Sequence, residues 1–189
     1  VFARTTGWNL PGLFHEYVIR MAMRAKTNPE TTVRISRRYR APVQRVFDAW
    51  THISSLRTWW GGEGVTTHEL IFEPRIHGEF HWVCSDAEGH LHTVNGEVRE
   101  LVSREKIAFT WIAVEGTPHF DHDDHHERDG RHRHTHHLDR SRVTVDFREG
   151  QGVEVRVLHT DLPDRETRDA MEQLWHEALE RLERALVGR

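Results

Sequence analysis

The chain has 189 residues, with 26 basic and 30 acidic side chains, a formal net charge of −4, 17 histidines and seven tryptophans. That balance leaves no electrostatic footprint for nucleic acid, and the single cysteine, Cys84, excludes an internal disulfide. No apolar run reaches the roughly 20 residues of a membrane-crossing helix, so the expectation is one domain of the reducing cytoplasm.

In chain order, residues 1 to 29 stand apart. Val1 to Met23 carry Arg4, His15, Glu16 and Arg20 and lack the long apolar stretch of a secretory signal, and the segment 1–29 reads as a loosely attached N-terminal tail or an upstream extension. From Thr32, Val33, Ile35 and Arg37 alternate with Arg34, Ser36 and Arg38, the pattern of a strand. Ala41-Pro42 stops it, and Pro42 suits the first position of a helix with Val43, Val46, Phe47 and Trp50 on one face. A shorter helical stretch, Ile53 to Trp60, ends at Gly61-Gly62, and Val65 to Phe72 forms the next strand.

Phe80, Trp82 and Cys84 alternate with His81 and Val83, and a turn at Asp86 to Gly89 leads into a partner strand, His92 to Leu101. Ser103-Arg104-Glu105 reverses the chain again before Ile107, Phe109 and Trp111. A polar insertion, about 114 to 140, precedes Val143, Val145 and Phe147. Glu149 to Gly152 then turns into Val153, Val155, Val157 and His159.

Met171, Leu174, Trp175, Ala178, Leu179, Leu182 and Leu186 recur at steps of three and four, the stripe of a long C-terminal helix. Asp164 is placed to cap it, Glu166 suits the positive end of its dipole, and Gly188 ends it. Six strands in successive hairpins, with helices near both ends, predict an α+β fold in which a curved antiparallel sheet grips that helix.

The motifs Ala41-Pro42-x-x-x-Val46-Phe47-x-Ala49-Trp50, Thr58-Trp59-Trp60-Gly61, Ile107-x-Phe109-Thr110-Trp111 and Val143-Thr144-Val145-x-Phe147, followed by the Trp175 helix, occur in the order found in a known superfamily. The chain resembles the START-like, or SRPBCC, superfamily. Within it the similarity is greatest to bacterial homologues of the activator of heat-shock protein 90 ATPase, over about Thr32 to Leu186. The resemblance implies the helix-grip fold for residues 30 to 189, a seven-stranded antiparallel sheet around the C-terminal helix with a cavity between. Two departures stand out. Gly78-Glu79 replaces a common Gly-Gly pair, and the connection from Val114 to Arg140 is much longer than usual.

Alternation puts Phe80, Trp82, Cys84, Ile107, Phe109, Trp111, Val145, Phe147, Val155 and Val157 on the inward face. Trp59, Trp60, Trp175 and Leu179 would close it from the helices. A filled core shows the same alternation as a ligand cavity, and the resemblance favours the cavity. The candidate ligand-binding residues are therefore Trp59, Trp60, Phe80, Trp82, Phe109, Trp111, Phe147, His159, Trp175 and Leu179. The expected ligand is a small apolar or aromatic molecule. His159 is the polar residue whose alternation turns it inward, a weak candidate for a general base in a cyclase- or hydrolase-like enzyme. The blander reading is a satisfied structural histidine. Glu100 and His92 face inward too, unless a bulge reverses them.

The insertion holds His119, His122, His125, His126, His132, His134, His136 and His137 among Asp121, Asp123 and Asp124. Imidazoles and carboxylates suit zinc, nickel or copper, while Arg128, Arg131 and Arg133 oppose a cation. No cofactor is required by the rest of the chain. No motif of nucleophilic catalysis is present, and Cys84 lacks a neighbouring cation pattern. As partners, the sequence points to the small molecule and to neither nucleic acid nor membrane. Chaperone contact is raised by the resemblance alone, and the chain is expected as monomer or homodimer.

Overall fold

The computed structural model describes residues 28–114 and 140–188. A short 3-10 turn, Pro29–Thr31, leads into β1 (Val33–Tyr39). Two helices follow, α1 (Val43–Thr51) and α2 (Ile53–Leu56), and then six strands: β2 (Thr66–Phe72), β3 (Glu79–Ser85), β4 (Leu91–Val102), β5 (Lys106–Val114), β6 (Ser141–Gly150) and β7 (Gly152–Thr160). The last element is the long helix α3 (Arg165–Val187).

The strands form one seven-stranded sheet in the order β1-β7-β6-β5-β4-β3-β2, with every neighbouring pair antiparallel. β2 through β7 pair in sequence order, each antiparallel to the strand before it, although the connection between β5 and β6 is far longer than the others. β1 instead joins the far edge beside β7, so α1 and α2 carry the chain across one open end of the curl. The α+β helix-grip arrangement expected from the sequence is the arrangement observed.

α3 lies in the concave face as its stripe requires. Trp175, Ala178, Leu179, Leu182 and Leu186 are buried, and Met171 and Leu174 are partly buried against the core. Its cap is the expected one, with Asp164 Oδ1 accepting from the backbone N–H of Thr167 at 2.7 Å. Pro42 sits one residue earlier than expected, outside α1 at its N-cap, where its carbonyl accepts from Val46 N at 3.2 Å. Tyr39 ties β1 to the helix by donating its buried hydroxyl to Leu179 O at 3.0 Å. Burial pushes that phenol well above its ordinary pKa.

At Gly152 a positive φ and close approach coincide. Gly152, at the β6–β7 turn, has φ +90°, and a Cβ there would meet Tyr39 O at 2.3 Å.

Inside the curl, aromatic rings fill the space. Trp60 stands edge-on to Trp50, Phe80, Trp82 and Trp175 at centroid separations of 5.6 to 6.1 Å, and Trp50 stacks on Trp175 at 6.2 Å. Such edge-to-face packing adds to area burial because each ring's positive rim meets another's negative face.

Candidate functional site

The rings stop short of one end of the sheet. Beyond Trp111, the next inward position of β5 is Ala113, and on α3 the small side chain Ala170 precedes Met171 and Leu174. Both alanines border the space, and their short side chains leave a void beyond the tryptophans. The result is an opening of about 620 Å³ between β3, β4, the end of β5 and the first half of α3. Trp82 and Trp111 form its inner wall, with ring centroids 5.9 Å apart at 69°. Val65, Val94, Met171 and Leu174 add apolar surface, and Cys84, Asp86, His92 and Thr93 supply polar atoms at the strand side. Trp82 is fixed by its own indole N–H, which donates to Thr67 Oγ1 at 3.1 Å.

A groove of about 750 Å³ lies elsewhere, between α1, α2 and the end of α3, with Gln44, Arg45, Asp48, His52, Ser54, Ser55 and Thr58 along it. Its lining mixes these polar groups with Pro42, Ala49, Trp59, Ala185 and Leu186, so a ligand there would have to displace hydration as well as cover carbon.

The structure gathers the ten candidate residues into or beside one core but brings only two of them to the opening. Trp82 and Trp111 line it. Trp60, Phe80, Phe109, Phe147, Trp175 and Leu179 are buried among other side chains, and Trp59, itself buried, borders the groove by α1 and α2. The expected broad cavity is thus largely occupied by protein rings, and the void is confined to its mouth. Space inside a sheet depends on how far opposing side chains reach, which alternation does not encode.

His159 is inward, as alternation requires, and fully buried on β7. The indole N–H of Trp175 donates to its Nδ1 at 3.2 Å. Nε2 therefore carries the proton and donates to Ser141 Oγ at 2.8 Å, and that hydroxyl donates to Trp111 O at 3.1 Å. Burial pushes the imidazole pKa down to about 3. Both ring nitrogens are committed within the core, so the ring has no free lone pair to take a substrate proton.

The polar edge of the opening is organised by Asp86, which sequence reasoning used only as a turn residue. Its Oδ1 accepts from the backbone N–H groups of Glu88 (3.1 Å) and His90 (2.8 Å). Its Oδ2 accepts from His90 Nδ1 (3.1 Å) and His92 Nε2 (3.0 Å). The hydrogen bond from His92, reinforced by those from His90, holds the carboxyl well below the usual carboxylate range. The spacing Asp86-x-x-x-His90-x-His92 across a hairpin turn was the available signal. His92 does face inward. The bulge lies farther along β4, between Val98 and Glu100, and turns Glu100 out to solvent.

Cys84, buried beside this edge, has its thiol pushed up to about 11 by burial and by the charge of Asp86, so it is held as a thiol. Among the described residues, Asp86, Glu88 and His90 are the one grouping whose metal-ligating atoms lie within 4.8 Å of one another, on an exposed turn. The eight insertion histidines, His119 to His137, lie outside the described residues.

A family model described as Activator of Hsp90 ATPase homolog 1-like protein matches residues 40–187. Among solved structures, a Chromobacterium violaceum protein is similar with a TM-score of 0.66 at 20% identity, covering 82% of this chain and 96% of that one. The AHSA1 protein from Silicibacter pomeroyi is similar at 0.64 and 24% identity, with 82% and 96% covered. A Mycobacterium smegmatis protein is similar at 0.63 and 16%, with 87% and 96% covered. At these identities the likeness establishes the fold alone. Among curated proteins, none matches the chain. No described helix is long and apolar enough to cross a membrane.

Proposed function

Because this chain belongs to the Activator of Hsp90 ATPase homolog 1-like family, within the START-like superfamily, we propose that it is a binding module for small apolar or aromatic molecules, held at the mouth between sheet and C-terminal helix. The observation that carries this reading is the opening of about 620 Å³ walled by Trp82 and Trp111. Its size falls within the range of ligand pockets, and its carbon-rich wall with polar atoms along one edge is the usual composition of one. A two-ring aromatic ligand burying roughly 200 Å² there would gain about 5 kcal/mol gross at 25 cal/mol per Å², before the cost of immobilising it. That corresponds to modest affinity. No covalent chemistry is needed, and His159 is committed elsewhere.

The test is equilibrium dialysis of the full chain with 2-methoxynaphthalene, a ligand without a hydrogen-bond donor. Ala113→Trp and Ala170→Trp each fill the void from an exposed backbone position without removing a core side chain. Each variant is expected to lower affinity by roughly ten-fold or more. Unchanged binding in both would place the ligand elsewhere and refute the assignment.

A further inference from the structure

The inward ladder shared by β3 and β4 changes character as it leaves the core. Phe80 is paired with Gly96, Trp82 with Val94, and Cys84 with His92. Indole and methyl groups thus give way to a thiol and an imidazole at the point where the two strands run out beside the opening. Trp82 is 3% exposed, whereas the His92 side chain is 56% exposed, so this ring stands at the boundary between the apolar wall and water. Both His92 and Asp86 border the void.

The hydrogen bonding at this edge decides what a ligand must bring. Asp86 accepts from Glu88 N, His90 N, His90 Nδ1 and His92 Nε2. A carboxylate offers about four lone-pair positions, so these donors use its capacity and leave little for a ligand cation or amine. A ligand carboxylate would face the Asp86 charge. His92 is different. Its Nε2–H is committed to Asp86, which orients the ring and leaves Nδ1 as an acceptor, and among the described residues no hydrogen bond reaches that atom.

Resting on the reading of the opening as a ligand site, we infer that the ligand is a hydroxylated aromatic molecule, its rings lying against Trp82 and Trp111 and its hydroxyl donating to Nδ1 of His92. The two indole planes stand at 69° to each other, and aromatic guests gain from both stacked and edge-to-face contacts with such rings. The histidine then acts as a specificity-determining residue and Asp86 as the group that positions it. An aliphatic guest would gain the burial but not the ring contacts, and an ether would gain both but leave the imidazole lone pair facing carbon.

The experiment compares 2-naphthol with 2-methoxynaphthalene by equilibrium dialysis on the full chain at about pH 8, above the ordinary histidine range. The two probes present the same rings, and only the first carries a donor. The wild-type chain is expected to prefer 2-naphthol by roughly ten-fold. His92→Leu, and independently His92→Phe, should bring the two affinities within about two-fold of each other while 2-methoxynaphthalene binding persists, which also reports that the variants are folded. Thr93→Val, which removes the protein hydroxyl bordering the void, should keep the preference. Equal affinities in the wild type, or a preference that survives in the His92 variants, would overturn the hydroxyl assignment and leave the apolar site standing. Failure of both probes to bind the wild type would overturn the ligand-site reading itself, and this inference with it.

Discussion

Lowering the pH should destabilise this protein through His159 well before its carboxylates titrate. In the folded chain, burial holds the imidazole at a pKa of about 3, against 6.5 for an ordinary histidine. The folded value lies below the unfolded one, so the unfolded chain takes up a proton that the folded chain refuses. Stability from this residue is fully present above about pH 6.5 and is lost as pH falls toward 3, by about 1.4 kcal/mol per pH unit. Between pH 7 and pH 5 the loss is therefore about 2 kcal/mol. The same step breaks the acceptor site for Trp175, because a protonated Nδ1 cannot take the indole N–H. Urea denaturation of the wild type and His159→Gln at several pH values isolates the effect, since titrations common to both chains cancel in the difference. Glutamine can still accept from Trp175 and donate to Ser141, so the variant should fold, with lower stability at pH 7 and a flatter dependence down to pH 5. Parallel stability profiles for the two chains over that interval would show that His159 does not stay neutral in the fold and would refute the reasoning.

Two further substitutions test the framework around the site. Gly152→Ala places a methyl group at φ +90° and 2.3 Å from Tyr39 O, so it should cost roughly 2 to 4 kcal/mol and lower the calorimetric melting temperature. A loss below about 1 kcal/mol would mean that the turn relaxes freely. Tyr39→Phe removes the hydroxyl that reaches Leu179 O on the long helix and should cost about 1 kcal/mol by urea denaturation. No measurable change would show that the bond contributes nothing beyond what water supplies.

Parity carried the reading of the sheet. Once Phe80, Trp82 and Cys84 are known to face inward, the hairpin register carries Val94 and His92 to the same face. The bulge at Val98 and Glu100 then reverses the pattern for everything after it. Nothing in the residues from Val98 to Glu100 announces that insertion, so Glu100 was as plausible an inward group as His92 until the strands were paired. Asp86 was missed for a related reason. An aspartate opening a hairpin turn that closes on a glycine three residues later is adequately explained as a turn former, and its second role appears only when His92 returns along β4 to meet it.

The sequence by itself determined the elements and their faces, because periodicities of two and 3.6 residues and local caps are short-range properties. The strand alternation, the stripe from Met171 to Leu186 and the cap at Asp164 all follow from neighbours within a few positions. It also placed His159 inward. The tertiary structure alone decided which inward residues touch one another and where the packing fails. Trp60 is wedged among rings drawn from α1, β3, β5 and α3, which fills most of the space between sheet and helix. Ala113 and Ala170, far apart in the chain, both border the mouth and leave it open. Volume is a sum over side chains brought together from distant segments, so the difference between a core and a cavity arises only when those segments are assembled.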